Sequence, residues 1–188
     1  MSPPRDQHRR FVAALEKLVS SDNRAALAAL RRGLGKTPGE VAEVHRYVVP
    51  WLPNDTDRWR EDAYYLVASL FASHQRNWVT GEERREATNL GASFARLMGV
   101  DGSQSVERRF VALLNSHADD LPEHLRSAVG LLKASEVLID WTQLLGDIQG
   151  WGWESRAVQR AWARAFWGSS RLSASETGES VPAASSAG

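Results

Sequence analysis

Apolar residues recur at helical spacing along almost the whole chain, and this pattern restricts the fold more than any other feature. Phe11, Leu15, Leu18 and Val19 follow the i, i+4, i+7, i+8 spacing of a buried helical stripe. Similar stripes return at residues 27–34, 41–48, 63–71, 106–114, 125–132, 141–148 and 158–166. No segment shows a convincing strand pattern. We therefore predict an all-α fold, a compact helical bundle of about eight helices in two small lobes.

Capping residues predict where the second and third helices begin and end. Asp22 or Asn23 can cap the second helix, and the glycines at positions 33 and 35 can end it. Residues 37–40, Thr-Pro-Gly-Glu, have the form of a capping box with proline at the first helical position. We therefore expect the third helix to begin at this box and to stop before Pro50.

The polar stretch at residues 76–90 divides the chain. Its charges are mixed in sign and it carries no apolar stripe, so we predict a connecting loop there. The loop would separate an N-terminal helical lobe at 5–75 from a C-terminal helical lobe at 91–168. The last helix would begin near Trp153 and end at Gly168. Ser, Ala, Gly and Glu predominate at 169–188, which predicts a disordered tail.

The composition excludes several classes of protein. The chain contains no cysteine, so disulfides, thiolate metal sites and cysteine nucleophiles are impossible. No apolar stretch approaches the length of a membrane span. The N-terminus has no apolar run of the kind that a secretory signal needs. We therefore expect a cytoplasmic protein that does not contact a membrane.

One short motif resembles a phosphate-binding loop. Gly35-Lys36-Thr37 matches the end of the P-loop pattern, but Leu30 occupies the position where that pattern needs its first glycine. The motif should also follow a strand, and here it follows a predicted helix. The simpler interpretation is the end of one helix followed by the start of the next.

A second cluster contains residue types that ligate metals. Its spacing matches no zinc pattern, and its acids suit the start of a helix, where the helix dipole favours negative charge. The cluster comprises His117, Asp119, Asp120, Glu123 and His124. No serine lies in a nucleophile setting, and no carboxylate pair has an evident base. We therefore predict no enzymatic activity, no catalytic residue, no metal and no cofactor.

The charges balance in number but are separated along the sequence. Lys and Arg number 23, as do Asp and Glu, so the formal net charge is zero. No acid lies between Asn23 and Gly39, and none lies between Ser155 and Ser175. Cations kept apart from anions form basic surfaces, which commonly meet phosphates.

Helical geometry predicts that many of these cations point away from the apolar stripes. Arg156, Arg160 and Arg164, spaced four residues apart, would form a ridge along the last helix. Arginine outnumbers lysine, and its planar group binds phosphate in two places and stacks on bases. We expect salt-dependent contacts to the nucleic-acid backbone without base-specific readout. The candidate nucleic-acid-binding residues are Arg31, Arg32, Lys36, Arg96, Arg108, Arg109, Arg126, Lys133, Arg156 and Arg160.

Other interpretations of these surfaces stay open. For any single arginine, an ordinary solvated position or a pair with an acid of another helix is the more common outcome. The protein could also be a purely structural scaffold. It has eight tryptophans, five of them between Trp141 and Trp167, and these could hold neighbouring subunits. A stand-alone helical protein that binds nucleic acid is a further alternative.

Short motifs spread from about Phe11 to Trp167 carry a family resemblance. In chain order they are Ala29-Leu-Arg-Arg32, Tyr47-Val-Val-Pro50, Leu70-Phe-Ala72, Gly91 with Ser93, Arg96-Leu97, Glu107-Arg-Arg-Phe110, Leu113-Leu114, Leu125-Arg126, Ile139-Asp-Trp141, Leu144-Leu145 and Trp162 to Phe166. In this order and spacing the chain resembles the CasB family, the small subunit of the type I-E CRISPR effector complex called Cascade.

The resemblance implies an all-helical subunit without enzymatic activity that acts in antiviral defence. Two copies would contact each other, the backbone subunits and the large subunit of Cascade. It also implies that a basic surface meets the guide RNA–target DNA complex, chiefly the displaced DNA strand, and stabilises the R-loop. The positions that match the family's basic residues are Arg31, Arg32, Arg108, Arg109 and Arg126, with Arg156 near a basic cluster of the C-terminal helix.

Overall fold

The computed structural model describes residues 4–54, 56–76 and 88–176. Within these ranges the chain forms nine α-helices and one 3-10 turn, with no β-strand, so the all-α prediction is confirmed. None of the described helices is both long enough and apolar enough to span a bilayer. The helices are α1 (Pro4–Ser20), α2 (Arg24–Arg31), α3 (Ala42–Val48), α4 (Arg58–Ser73), α5 (Leu90–Asp101), α6 (Gln104–Leu114), α7 (Leu121–Ala134), α8 (Trp141–Gln149) and α9 (Ala157–Glu176), with the 3-10 turn at Val49–Trp51.

Helix α4 lies at the centre of the N-terminal part of the chain. Its residues 63–72 are almost continuously apolar, and nearly all of them are buried. A helix that is apolar on every side must be covered on every side. Here α1, α2, α3 and α8 all pack against α4.

Helix α8 joins the two halves of the chain. It packs against α1 and α4, and Trp141 at its start meets Phe71 of α4 edge-on at 5.7 Å. Near its end, Gln149 accepts a 3.3 Å hydrogen bond through its backbone oxygen from the indole of Trp59. Buried side chains from both halves therefore form one connected core. The predicted connecting loop at 76–90 lies mostly outside the described residues, and the division into lobes stays a prediction.

Helices α5 and α9 approach each other so closely that Gly91 has no room for a side chain. A Cβ atom placed there would lie 2.7 Å from the Trp162 Cα and closer still to the Trp162 carbonyl oxygen. Aromatic rings fill the space beside this crossing. Phe110 of α6 lies 5.0 Å from Phe94 of α5 and 4.4 Å from Phe166 of α9, measured between ring centroids. The three helices therefore share one aromatic core.

The carboxyl group of Asp147 in α8 is buried in the core. Its Oδ2 accepts a 2.6 Å hydrogen bond from Trp162 Nε1, and its Oδ1 accepts a 2.8 Å bond from Gln143 Nε2. Burial raises the pKa of Asp147 to about 6, although the two hydrogen bonds oppose that shift. The carboxyl thereby fixes the orientation of Trp162, a fully buried side chain of α9.

The second helix begins and ends where the sequence predicts. Asn23, one of the two predicted caps, accepts a 3.0 Å hydrogen bond through Oδ1 from the backbone N–H of Ala26. Gly35 follows the helix with φ of 72°, the left-handed conformation in which glycine is unstrained. The motif at residues 35–37 is therefore part of a turn between helices that follows the end of α2, and it does not start the next helix.

The predicted start of the third helix is wrong. Glu40 does accept a 3.1 Å hydrogen bond through Oε2 from the Thr37 backbone N–H, as a capping box requires. Gly39, however, has φ of 80°, so the chain makes a turn there and α3 begins only at Ala42. A left-handed residue inside the first turn is incompatible with a continuous helix. The end of the helix is as predicted, because α3 stops at Val48 and Pro50 lies in the 3-10 turn.

Both predicted ends of the last helix also differ from the structure. Arg156 has φ of 47°, a conformation that a helix cannot contain, so α9 begins at Ala157 and not near Trp153. Gly168 does not adopt a left-handed conformation and does not end the helix, which continues to Glu176. A single glycine costs a helix only about 1 kcal/mol, which is too little to stop it. Residues 177–188 of the predicted tail lie outside the described residues.

Candidate nucleic-acid interface

The cations that follow α2 are partly engaged by acids. Arg32 Nη2 lies 3.4 Å from Glu43 Oε1, and Lys36 Nζ lies 3.1 Å from Glu40 Oε1. Both acids follow the acid-free stretch in the sequence, but the fold brings them beside its cations. The positive charge of this segment is therefore partly neutralised. Arg31 is exposed and its Nε donates a 3.2 Å hydrogen bond to its own helix. Exposed pairs contribute only about 0–1 kcal/mol, so a phosphate could replace either acid at small cost.

The structure brings Arg126 of α7 beside this segment. Its guanidinium lies against Gly35, where it occupies the space that a side chain at position 35 would need. Arg126 and Lys36 both line a cleft of about 550 Å³ between the 33–39 segment, α4 and the start of α7. Acids share the same walls, and they are Asp62, Asp119, Asp120 and Glu123. A polyanion would meet repulsion here, so this cleft is the weaker candidate for phosphate contact.

The cluster with metal-ligand residue types behaves as the start of a helix. Asp120 directly precedes α7, and Glu123 lies in the first turn. In the part of the chain that the structure describes, no group of three or more His, Cys, Asp or Glu is arranged to hold a metal ion. Negative charge at this position is favoured by the helix dipole alone.

Arg108 and Arg109 of α6 form the clearest basic surface. Both side chains are exposed, and neither has an ion-pair or hydrogen-bond partner among the described residues. The neighbouring acid, Glu107, accepts a 3.0 Å hydrogen bond through Oε1 from Trp167 Nε1 of α9. Arg109 also lines a groove beside α7, shared with His124. Two adjacent unpaired arginines can each offer their full donor set to a phosphate.

The predicted ridge on the last helix loses one of its three members. Arg156 precedes the helix, and its Nη2 donates a 2.6 Å hydrogen bond to the Leu114 backbone oxygen at the end of α6. Arg156 therefore ties a turn to α6, and the ridge is wrong at this position because the backbone there is not helical. Arg160 and Arg164 lie one turn apart on α9, exposed and without an ion pair in the described ranges.

Two further candidates stand apart from these clusters. Arg96 is exposed on α5, and Lys133 is exposed in the last turn of α7, where the helix dipole favours a cation. Both remain predicted nucleic-acid contacts.

Trp167 is absent from the predicted candidates although it joins two of the basic groups. Its ring is 40% exposed, and it stands three residues after Arg164 and seven after Arg160 on α9. Its indole also bonds to Glu107, which is the residue that precedes Arg108. The spacing from Arg160 to Trp167 was visible in the sequence, but the hydrogen bond to α6 was not.

Together, the fold and this surface define a small all-α protein that presents unpaired arginines on α6 and α9. Residues 26–167 match the sequence model of the family described as CRISPR-associated protein Cse2. The chain is 37% identical over 163 residues to a CRISPR-associated protein Cse2 of Thermus thermophilus, a match that covers 85% of this chain and 89% of the relative. The chain belongs to the Cse2 family of CRISPR-associated proteins.

Solved structures agree with this assignment. CasB of M. ruber is 33% identical and superposes with a TM-score of 0.77, covering 91% of this chain and 98% of that one. A chain of a structure described as a CRISPR RNA-guided surveillance complex is 30% identical, with a TM-score of 0.75 and coverage of 91% and 99%. The family expected from the short sequence motifs is therefore confirmed.

Proposed function

We propose that this chain is a non-catalytic subunit of a type I-E CRISPR RNA-guided surveillance complex, and that it stabilises the R-loop. It would do so by holding the sugar–phosphate backbone of the displaced DNA strand. Support for the assembly comes from the similarity to a surveillance-complex chain over nearly the full length of both chains. Partners would be the backbone and large subunits of the complex and a second copy of this chain, in the cytoplasm.

The single observation that carries the proposal is the state of Arg108 and Arg109. The chain has equal numbers of cations and anions, so every arginine could in principle have an acid. These two adjacent arginines have no such partner in the described part of the chain, and the acid next to them, Glu107, is bonded to Trp167. Unpaired, exposed guanidinium groups are suited to a polyanion that arrives from outside.

The physical mechanism needs only modest contacts. In RNA-guided complexes the pairing between guide and target supplies the sequence specificity, so the protein subunits need to hold backbone alone. Replacing a DNA duplex with an RNA–DNA duplex is nearly balanced in free energy. A few arginine–phosphate contacts on the displaced strand can therefore shift the equilibrium towards the open R-loop. Arg108, Arg109 and Arg160 are the principal candidates, and the other predicted cations are secondary.

A salt series tests backbone binding directly. The isolated full chain is titrated with labelled single- and double-stranded nucleic acid at several salt concentrations, beside an Arg108→Glu, Arg109→Glu variant. The matched control is Arg9→Glu, Arg24→Glu, which changes the net charge equally at two arginines that already have acid partners. We expect affinity to fall steeply with salt for the wild type and the control. In the first variant the slope of log K against log salt should be smaller by roughly 0.7–0.9 for each phosphate that the protein no longer neutralises.

A purely structural scaffold is the second candidate function. Trp153 is 58% exposed and Val100 is 76% exposed. Such side chains are typical of subunit contacts. A flat salt series in all three proteins would favour this role, since an aromatic interface depends little on counterions.

A further inference from the structure

Trp167 is exposed and yet held in one orientation. Its indole N–H is bonded to Glu107 at 3.0 Å. Its ring meets Phe166 edge-on at 5.0 Å and Phe110 at 5.7 Å with an interplanar angle of 62°. The ring is therefore held by one hydrogen bond and two aromatic contacts, while 40% of the residue stays open to solvent. A rigid ring loses little conformational entropy when a ligand covers it.

Arginines without ion pairs in the described part of the chain share the helix side of this ring or follow its hydrogen-bond partner in sequence. Arg164 lies one helical turn before Trp167 and Arg160 two turns before it, on the same side of α9. Arg108 follows Glu107, the acceptor of the indole bond. None of these three arginines has an ion-pair partner in the ranges that the structure covers. Glu107 contacts the ring, and two arginines without ion pairs among the described residues share the side of α9 on which the ring lies.

We propose that Trp167 stacks on an unpaired base of single-stranded nucleic acid, with Arg164 and Arg108 contacting phosphates on either side. This inference rests on the proposed function and names the group that would hold a base. Proteins that follow single strands combine a basic track with aromatic rings, because every base has a π-face. A duplex hides its bases, so such a ring distinguishes an unpaired strand from a paired one.

Trp153 provides the comparison within the same chain. It is more exposed than Trp167, at 58%, but its indole has no hydrogen-bond partner among the described residues, and the residue after it is Glu154. The exposure of Trp153 is thus not accompanied by the indole hydrogen bond that fixes Trp167. If exposure alone were enough, the two tryptophans would contribute equally to binding.

The experiment compares a base-bearing strand with an abasic strand. Labelled oligomers of about 12 nucleotides are used, a site size common for single-strand binders. One oligomer carries thymine bases, and a second is abasic with the same phosphates. A uracil ribo-oligomer of the same length tests whether the protein distinguishes RNA from DNA. The proteins are the full-length wild type, Trp167→Ala, Trp167→Phe, Trp167→Leu and the control Trp153→Ala. Thermal unfolding is measured for each. Should Trp167→Ala unfold, the Phe and Leu variants decide, since both keep the apolar contact and only Phe keeps a ring.

We expect Trp167→Ala and Trp167→Leu to bind the thymine strand about 5- to 150-fold more weakly than the wild type, which corresponds to the loss of one stacked base. Trp167→Phe should recover part of this loss, and Trp153→Ala should bind like the wild type. The abasic strand should bind all variants alike, with the same salt slope, because every arginine that meets a phosphate is still present.

Three results would overturn the stacking. Equal binding of the thymine strand by the wild type and the Trp167 variants would do so while leaving the proposed function intact. Unchanged strand binding together with loss of assembly with other subunits would assign Trp167 to a protein interface. If the wild type bound neither strand at any salt concentration, the proposed function itself would fail, and the stacking with it.

Discussion

Trp167 Nε1 donates a 3.0 Å hydrogen bond to Glu107 Oε1, which ties α9 to α6 across the aromatic core. The bond occupies the carboxylate that lies closest in sequence to Arg108 and Arg109. Glu107 therefore helps to hold the two helices together, while the two arginines that follow it have no ion-pair partner among the described residues. Glu107 is a partner of the tryptophan, and its neighbours stay open to ligands.

Neutralising Glu107 should strengthen binding to nucleic acid. Glu107→Gln keeps an oxygen that can accept the indole bond, but it removes a negative charge beside Arg108. We expect the affinity for a single strand to rise by about two- to fivefold at low salt, and the gain to shrink as salt screens the charge. Titrations at two salt concentrations would check this. Equal or weaker binding by Glu107→Gln would show that the carboxylate does not oppose the ligand.

The close crossing of α5 and α9 predicts opposite effects for two glycines of one helix. Gly91→Ala would place a methyl group against the Trp162 backbone, which cannot move aside as a flexible side chain can. We expect a loss of about 1–3 kcal/mol in unfolding free energy. Gly99→Ala meets no atom within 4 Å, and it should stabilise the protein by roughly 0.5–1 kcal/mol. Chemical denaturation of both variants measures the difference, and equal effects would refute the close crossing.

The buried carboxyl of Asp147 predicts a particular dependence of stability on pH. Burial raises its pKa to about 6 in the native state, with Asp140 adding to the shift and the hydrogen bonds and Arg5 opposing it. The native state therefore holds the proton more tightly than the unfolded chain, so this group's contribution to stability falls as pH rises from about 4 to about 6. Near pH 7 the ionised group would cost roughly 2–3 kcal/mol relative to pH 4.

Asp147→Asn isolates that contribution, because the amide oxygen can still accept the bond from Trp162. We expect the variant to gain stability relative to the wild type as pH rises from 4 to 7. The buried histidines His8 and His74, whose pKa values burial lowers, destabilise both proteins alike at low pH. Urea denaturation at pH 4.5 and 7 gives the two differences. A constant difference across that range would contradict a raised pKa of Asp147.

Arg156 and Arg160 should behave differently although they are only four residues apart. Arg156→Ala removes the 2.6 Å bond to the Leu114 oxygen, so we expect a loss of about 1–2 kcal/mol in stability. Arg160→Ala should leave stability within about 0.5 kcal/mol of the wild type, as is usual for exposed positions, and should weaken nucleic-acid binding. Thermal unfolding and strand titration together separate the two. An equal loss of stability in both variants would contradict this difference and favour the predicted continuous arginine ridge.

Periodicity in the sequence predicted the helical fold well, and local backbone conformation explains where it failed. The stripe that includes Phe11 and Leu15 specifies which face of α1 is buried, because residues spaced four apart lie on the same side of a helix. The starts of α3 and α9 were misplaced because Gly39 and Arg156 adopt positive φ angles. The Pro38-Gly39 pair is a local turn signal that the capping-box interpretation overlooked, whereas nothing local in the sequence marks the positive φ of Arg156.

The candidate site was predictable only in part, since ion pairs between helices depend on tertiary structure. Arg108 and Arg109 are exposed as the helical spacing indicates. Arg32 is paired with Glu43, eleven residues away and on another helix, which no count of nearby acids would find. The sequence placed Trp167 only among five tryptophans that could hold neighbouring subunits, and the hydrogen bond to Glu107 that fixes its exposed ring depends on tertiary structure.

The lifetime of the R-loop tests the central claim most directly. Surveillance complexes are assembled with the wild-type chain, with Arg108→Glu, Arg109→Glu, or with the control Arg9→Glu, Arg24→Glu, and equal incorporation is verified by gel. The rate at which the displaced strand re-anneals on a target duplex is then measured. We expect the first variant to collapse about tenfold faster or more, which corresponds to a loss of roughly 1.4 kcal/mol in stabilisation, while the control matches the wild type. An unchanged lifetime in a fully incorporated Arg108→Glu, Arg109→Glu complex would contradict the account and leave a scaffold without nucleic-acid contact.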